Sequence, residues 1–113
     1  MTDNRSLPED PLAFIKECVV AKSIIWTYHV NVRLKKWAIP SGMILEAVKS
    51  YEIIEAYPED KYLPSYLVYA ECGSIAIHVL FATDVENQNV RIVTAYRPDP
   101  NEWSRDLRRR KKP

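Results

Sequence analysis

The chain has 113 residues, 47% of them hydrophobic and 27% charged, with eight prolines and two glycines, which is the size and mix of one compact domain and excludes two. A chain of this length buries roughly two thirds of its unfolded surface, so it needs neither disulfides nor a structural metal. The net charge of +1 divides unevenly: residues 104–113 hold six basic side chains and one acidic one, so the tail is +5 and the body −4.

Residues 1–9 read as a leader. Asp10 before Pro11 marks a helix start, since Asp caps free amides and proline fits the first helical position. Leu12, Ile15 and Val19 then recur at helical spacing, which predicts a helix from Pro11 to about Lys22. Ser23 to Thr27 is β-branched and aromatic, a short extended piece. Val30, Leu34 and Trp37 fall at i, i+4 and i+7, giving a second helix from about Tyr28 to Ala38, ended by Ile39-Pro40. Ser41 is placed to cap a third helix, with Ile44, Leu45 and Val48 inward, ending near Ser50.

From Tyr51 the period becomes two. The predicted strands are Tyr51–Tyr57, Tyr66–Glu71, Ile75–Thr83 and Val90–Arg97. Their connections are too short for parallel crossovers, so consecutive strands pair antiparallel as a meander. The fold class is therefore α+β: N-terminal helices packed on one face of a four-stranded antiparallel sheet, the other face left open for a site. The domain spans residues 10–103, followed by the basic tail 104–113.

No stretch suits a membrane: the longest run without Asp, Glu, Lys or Arg, Cys72 to Thr83, is too short and too polar. The opening MTDNRSLPEDP lacks the basic start and apolar run of a secretory signal. Cys18 and Cys72 stand outside any CxxC or Cys/His spacing and read as reduced thiols of a cytoplasmic protein. Only Gly42 and Gly73 are present, so Gly-rich phosphate loops are excluded, and two distant histidines without clustered carboxylates or cysteines give no metal signature. Neither a cofactor nor a metal is expected. Glu52, Glu55 and Glu71 form no paired-carboxylate motif and read as surface charges.

The candidate chemistry lies in three places. His29 and Arg33 share one side of the second helix, and with Lys35 and Lys36 they make a cationic face bearing an imidazole, suited to a phosphodiester; a solvated helix face is the plain alternative. His78 points to the non-core face of its strand beside Ala76 and Leu80, either a site floor or a hydrogen-bonded core histidine. Tyr96 can stack on a base and Arg97 can fork onto phosphate, although alternation sends them to opposite faces, while Trp103 pins the chain's exit. In the tail, Arg108, Arg109 and Arg110 are candidate nucleic-acid contacts, against the reading of a solvated terminus.

Taken in order, TYHVNVRLKKWAI, YEIIEAYPEDKYLPSYLVY, IAIHVLFATD and RIVTAYRPDPNEW resemble the bacterial family known as domain of unknown function 4258, over roughly residues 23 to 103. That family resembles the RelE/ParE and MqsR toxin group, small domains with helices on an antiparallel sheet, often encoded beside an antitoxin with a zinc-finger segment. The resemblance implies a toxin of a type II toxin–antitoxin pair, a metal-independent endoribonuclease acting on messenger RNA. His29, Arg33, His78, Thr94, Tyr96, Arg97, Pro98 and Trp103 fall on the family's corresponding positions. Where the family has a second arginine and then glycine before the isoleucine, this chain has Trp37-Ala38-Ile39, so one cation is absent; Lys36 lacks arginine's planar fork.

Two functions follow as expectations. In the first, His29 or His78 removes the 2′-hydroxyl proton of RNA, Arg33 and Arg97 stabilise the phosphorane, and Tyr96 positions a base. In the second the chain is a non-enzymatic module or degenerate toxin that pairs with a neighbour-encoded protein. The expected partners are RNA and an antitoxin, and the unpaired sheet edge also admits a homodimer.

Overall fold

The computed structural model describes residues 6–111. Residues 1–5, most of the leader expected at 1–9, lie outside that range; within it Pro8 is buried. The first helix, α1, is Pro11–Val20, and the Asp10 side chain accepts from the Ala13 amide at 3.1 Å, the cap the sequence indicated. It ends where Lys22 takes a left-handed φ of 60° and the Ser23 amide reaches back to the Cys18 carbonyl at 2.8 Å.

Strand β1, Ile24–Trp26, leads through the N-cap Thr27 into α2, Tyr28–Lys36. This helix closes in the same way as α1: Ala38 sits at φ 53°, the Ile39 amide donates to Leu34 O at 2.8 Å, and the Ala38 amide donates to Lys35 O at 3.2 Å. Then α3, Ser41–Glu46, tightens into a 3-10 turn, Ala47–Ser50. Ser41 does not cap α3. It is the helix's first residue, the N-cap is Pro40, and there is no side-chain capping bond.

Four longer strands follow: β2, Glu52–Tyr57; β3, Ser65–Cys72; β4, Ile75–Asp84; and β5, Asn89–Tyr96. They pair antiparallel in sequence order, as the short connections require. The sheet nevertheless has five strands and is mixed, because β1 joins it beside β5 in parallel register, Ile24 opposite Val90 and Trp26 opposite Ile92. This corrects the expected four-stranded antiparallel sheet. The extended character of Ser23–Thr27 was readable, but its partner lies some 65 residues downstream and leaves no local mark.

All helices cover one face. Ile15, Val19, Val30, Leu34 and Ile44 from the helices meet Val68, Ile77, Val79, Phe81, Val90 and Ile92 from the sheet in one buried cluster. Tyr51 closes its end, donating its hydroxyl to Ile44 O at 2.6 Å and tilting against Phe81.

The opposite, outer face is covered at one end. Residues after β5 turn back across it: Trp103 bridges to Arg110, the Lys111 amide donates to Glu102 O, and Ser104 N donates to Arg109 O. The segment read as a solvated terminus is therefore a small strap lying on the sheet, as far as Lys111; Lys112 and Pro113 lie outside the described residues.

Candidate functional site

Two bulges decide which side chains reach the outer face. On β2 the register slips between Ile53 and Glu55, so Glu52 opposes Tyr69 and Glu55 opposes Leu67, two positions of β3 that share one face. On β5 a slip opposite Leu80/Phe81 leaves Thr94 facing Leu80 and Tyr96 facing His78. The outer face thus gathers Glu52, Glu55, Tyr69, His78 and Tyr96 at one end.

His78 is fully buried there. Its Nε2 donates to Leu107 O at 2.8 Å, which leaves Nδ1 to accept from the Tyr96 hydroxyl at 3.2 Å. Trp103 lies edge-on, ring centres 4.4 Å apart, with Tyr69 and Tyr96 also around the imidazole. Burial holds its pKa below the ordinary imidazole value, opposed by the Leu107 carbonyl and the Glu55 charge. Burial also pushes the Tyr96 hydroxyl up to about 12. Both ring nitrogens are occupied and the strap covers the ring, so His78 has the geometry of the hydrogen-bonded core histidine.

The strap is latched by arginines. Arg108 Nε donates to Glu52 at 2.8 Å and its guanidinium lies 4.1 Å over the Tyr69 ring. Arg110 grips Glu55 with two nitrogens, at 2.7 and 3.2 Å, and lies 4.7 Å over Trp103. Burial raises the Glu55 carboxyl, but hydrogen bonds from Arg110 and Tyr57 outweigh it and hold the pKa below the ordinary value. Arg108 and Arg110, candidates for nucleic-acid contact, are thus engaged within the molecule, and Arg109 between them is exposed with no carboxylate in ion-pair distance among the described residues. Glu52 and Glu55, read as plain surface charges, are the latch's other half.

His29 is elsewhere. It stands exposed in the first turn of α2, where the Thr27 hydroxyl caps the helix by accepting from Val30 N at 3.1 Å. With Thr27 it lines a cleft of about 480 Å³ shared with Lys61, Tyr62, Ala82, Arg91 and Val93. Ala82 is four residues along β4 from His78, a separation of roughly 13 Å at strand rise. The two histidines therefore do not share a pocket. The cleft assembles chemically capable groups: an imidazole, two cations and a tyrosine ring that is 81% exposed. Asp60 lines it too, its carboxylate taken up by the Ser65 hydroxyl at 2.6 Å and the Lys61 amide at 2.9 Å. Arg91 stands 4.0 Å from Asp84.

Arg33, Lys35 and Lys36 are exposed along α2, and no carboxylate lies within ion-pair distance of them among the described residues. Arg97 leaves β5 toward the helix side, donating to Ala38 O at 3.3 Å, at the far end of α2 from His29. Tyr96 and Arg97 therefore occupy opposite faces, as the alternation indicated. Sequence reading missed Lys61, Tyr62 and Arg91, because a loop and an interior strand come beside α2 only through contacts between distant segments, among them β1's parallel pairing with β5. No group of three or more His, Cys, Asp or Glu side chains placed to hold a metal occurs among the described residues, and no helix there is long and apolar enough to cross a membrane.

A family model described as a domain of unknown function, DUF4258, matches residues 26–97, from the last residue of β1 to just past β5, and the chain belongs to that family. No curated protein and no solved structure matches the chain.

Proposed function

From that membership and the cleft at His29, we propose that the protein is an RNA-directed toxin of a type II pair, a metal-independent endoribonuclease. The observation that carries the reading is one exposed imidazole in a cleft with Arg91, Lys61 and an open tyrosine ring. In this scheme His29 takes the 2′-hydroxyl proton and that oxygen attacks phosphorus. The bond to the 5′-oxygen breaks, and the leaving oxygen takes a proton from water at the cleft mouth, giving a 2′,3′-cyclic phosphate and a 5′-hydroxyl. Arg91 and Lys61 face the charge that grows on the phosphorane oxygens. Tyr62 stacks on a base, as exposed aromatic rings do with unpaired nucleotides. Arg33, Lys35, Lys36 and Arg97 supply a cationic track along a helix about 14 Å long, on which the flanking phosphates run. His78 and Tyr96, first considered as catalytic, serve here to seat the strap.

The test is a long RNA incubated with the protein in chelator, with fragment ends analysed. Fragments ending in cyclic or 3′ phosphate are expected, with cleavage falling at least about 100-fold in His29→Ala and by a similar order in Arg91→Ala. Cleavage by His29→Ala equal to that of the unaltered protein would remove the proposal.

One observation favours a second reading, a module that binds a protein partner such as an antitoxin. Tyr28 and Val32, one helical turn apart on α2, are exposed with Ile25 of the edge strand β1. RNA that stays intact with and without ribosomes would select this reading.

A further inference from the structure

We infer that the outer face of β2 and β3 is a docking site for an extended segment carrying two arginines two residues apart, and that the chain's own strap is its resident occupant. The inference goes beyond the RNA reading and does not depend on it.

The site is built into the sheet. In a regular strand, residues 52 and 55 point to opposite faces; the bulge after Ile53 turns both glutamates outward. Their partners on β3, Tyr69 and Leu67, are two residues apart, so the carboxylates are spaced at about the 7 Å that separates alternate residues of an extended chain. Arg108 and Arg110 match that spacing, each taking one glutamate, while Arg109 between them faces away into solvent. Each guanidinium is also read by an aromatic ring, Arg108 by Tyr69 and Arg110 by Trp103. Arg110 engages Glu55 through Nε and a terminal nitrogen together, a fork lysine cannot present. The site therefore selects for arginine by geometry as well as by charge.

The occupant is exchangeable in its outer part. Trp103 and the Leu107 carbonyl are held in the interior by His78, and the arm beyond them is backbone-paired to residues 102–104 of the strap itself. Its hold on the sheet is the two ion pairs and the Tyr69 ring, and solvent-exposed ion pairs contribute little net stability. Leu107, at the pivot, holds a left-handed φ of 63° that a leucine adopts only under constraint. A partner presenting arginine, any residue, arginine in extended form replaces the arm while Trp103 stays.

The test uses the full chain and a fluorescein-labelled peptide of its residues 106–111, followed by fluorescence anisotropy. The chain carrying Arg108→Ala and Arg110→Ala, whose face is vacated, is expected to bind the peptide at least 10-fold more tightly than the unaltered chain. Adding Glu52→Gln and Glu55→Gln should weaken that binding at least 10-fold, and a peptide with lysine at both arginine positions should bind at least 5-fold more weakly. Should the double arginine variant not fold, Arg108→Ala alone, which keeps the Arg110 and Trp103 contacts, serves the same comparison. No binding by the vacated chain, binding indifferent to the two glutamines, or equal binding of the lysine peptide would each overturn the inference.

Discussion

At the scale of single residues, His78 shows how much a strand pattern tells. Alternation puts it on the non-core face, and the register confirms this, Tyr69 on one side and Tyr96 on the other. What covers that face is invisible to alternation, because the cover is a charged segment with no apolar period, 29 residues farther on. His78→Ala leaves the Leu107 carbonyl and the Tyr96 hydroxyl without their partner and opens a cavity beneath Trp103. We expect a loss of about 2–4 kcal/mol in denaturant unfolding, with RNA chemistry at the His29 cleft unaffected per folded molecule. The imidazole also sets a pH dependence. Its folded pKa lies below the ordinary value of 6.5, so its unfolded form binds the proton first as pH falls. Stability is full above that value and declines as pH drops through it toward the folded pKa. His78→Gln flattens this part of the profile in urea unfolding followed from pH 8 to pH 5. Glu55, whose folded pKa is lowered, adds a second decline at more acid pH.

At the scale of elements, α2 starts at Tyr28 as its spacing indicated and buries Val30 and Leu34, while it closes at Lys36, short of the expected Ala38; the Thr27 cap at its start was read only as part of an extended piece. Position 38 is the left-handed residue that closes the helix, and alanine occupies it here at φ 53°. Ala38→Gly relieves that conformation and is expected to raise stability by about 1 kcal/mol, seen as a higher urea midpoint with unchanged slope. Trp37 is half-buried against the core with its indole nitrogen buried and unpaired among the described residues. The strap is the element the sequence hid most completely. Trp103 was readable as an anchor, and Trp103→Ala is expected to cost about 3–5 kcal/mol, since the ring is buried against His78 and beneath Arg110. The arginines were not readable as its latch, because a basic run looks the same whether it meets solvent, phosphate or two glutamates brought together by a bulge.

At the scale of the molecule, the α+β class and the order of the helices and long strands follow from period and turn chemistry. The fifth strand and the division of the outer face follow from contacts between distant segments. That division separates the two histidines: a strapped end around His78 and a cleft at the β1–α2 junction around His29. The proposed RNA chemistry requires the polymer to seat in the cleft. The most direct measurement is an amide chemical-shift titration of the isotopically labelled protein with a single-stranded RNA whose 2′-hydroxyls are methylated, so that it binds without being cut. Shifts confined to 27–36, 61–63, 91–93 and 97 are predicted, with Tyr69, His78 and Leu107 still. Shifts centred on the strap, or none at millimolar RNA, would contradict the proposal.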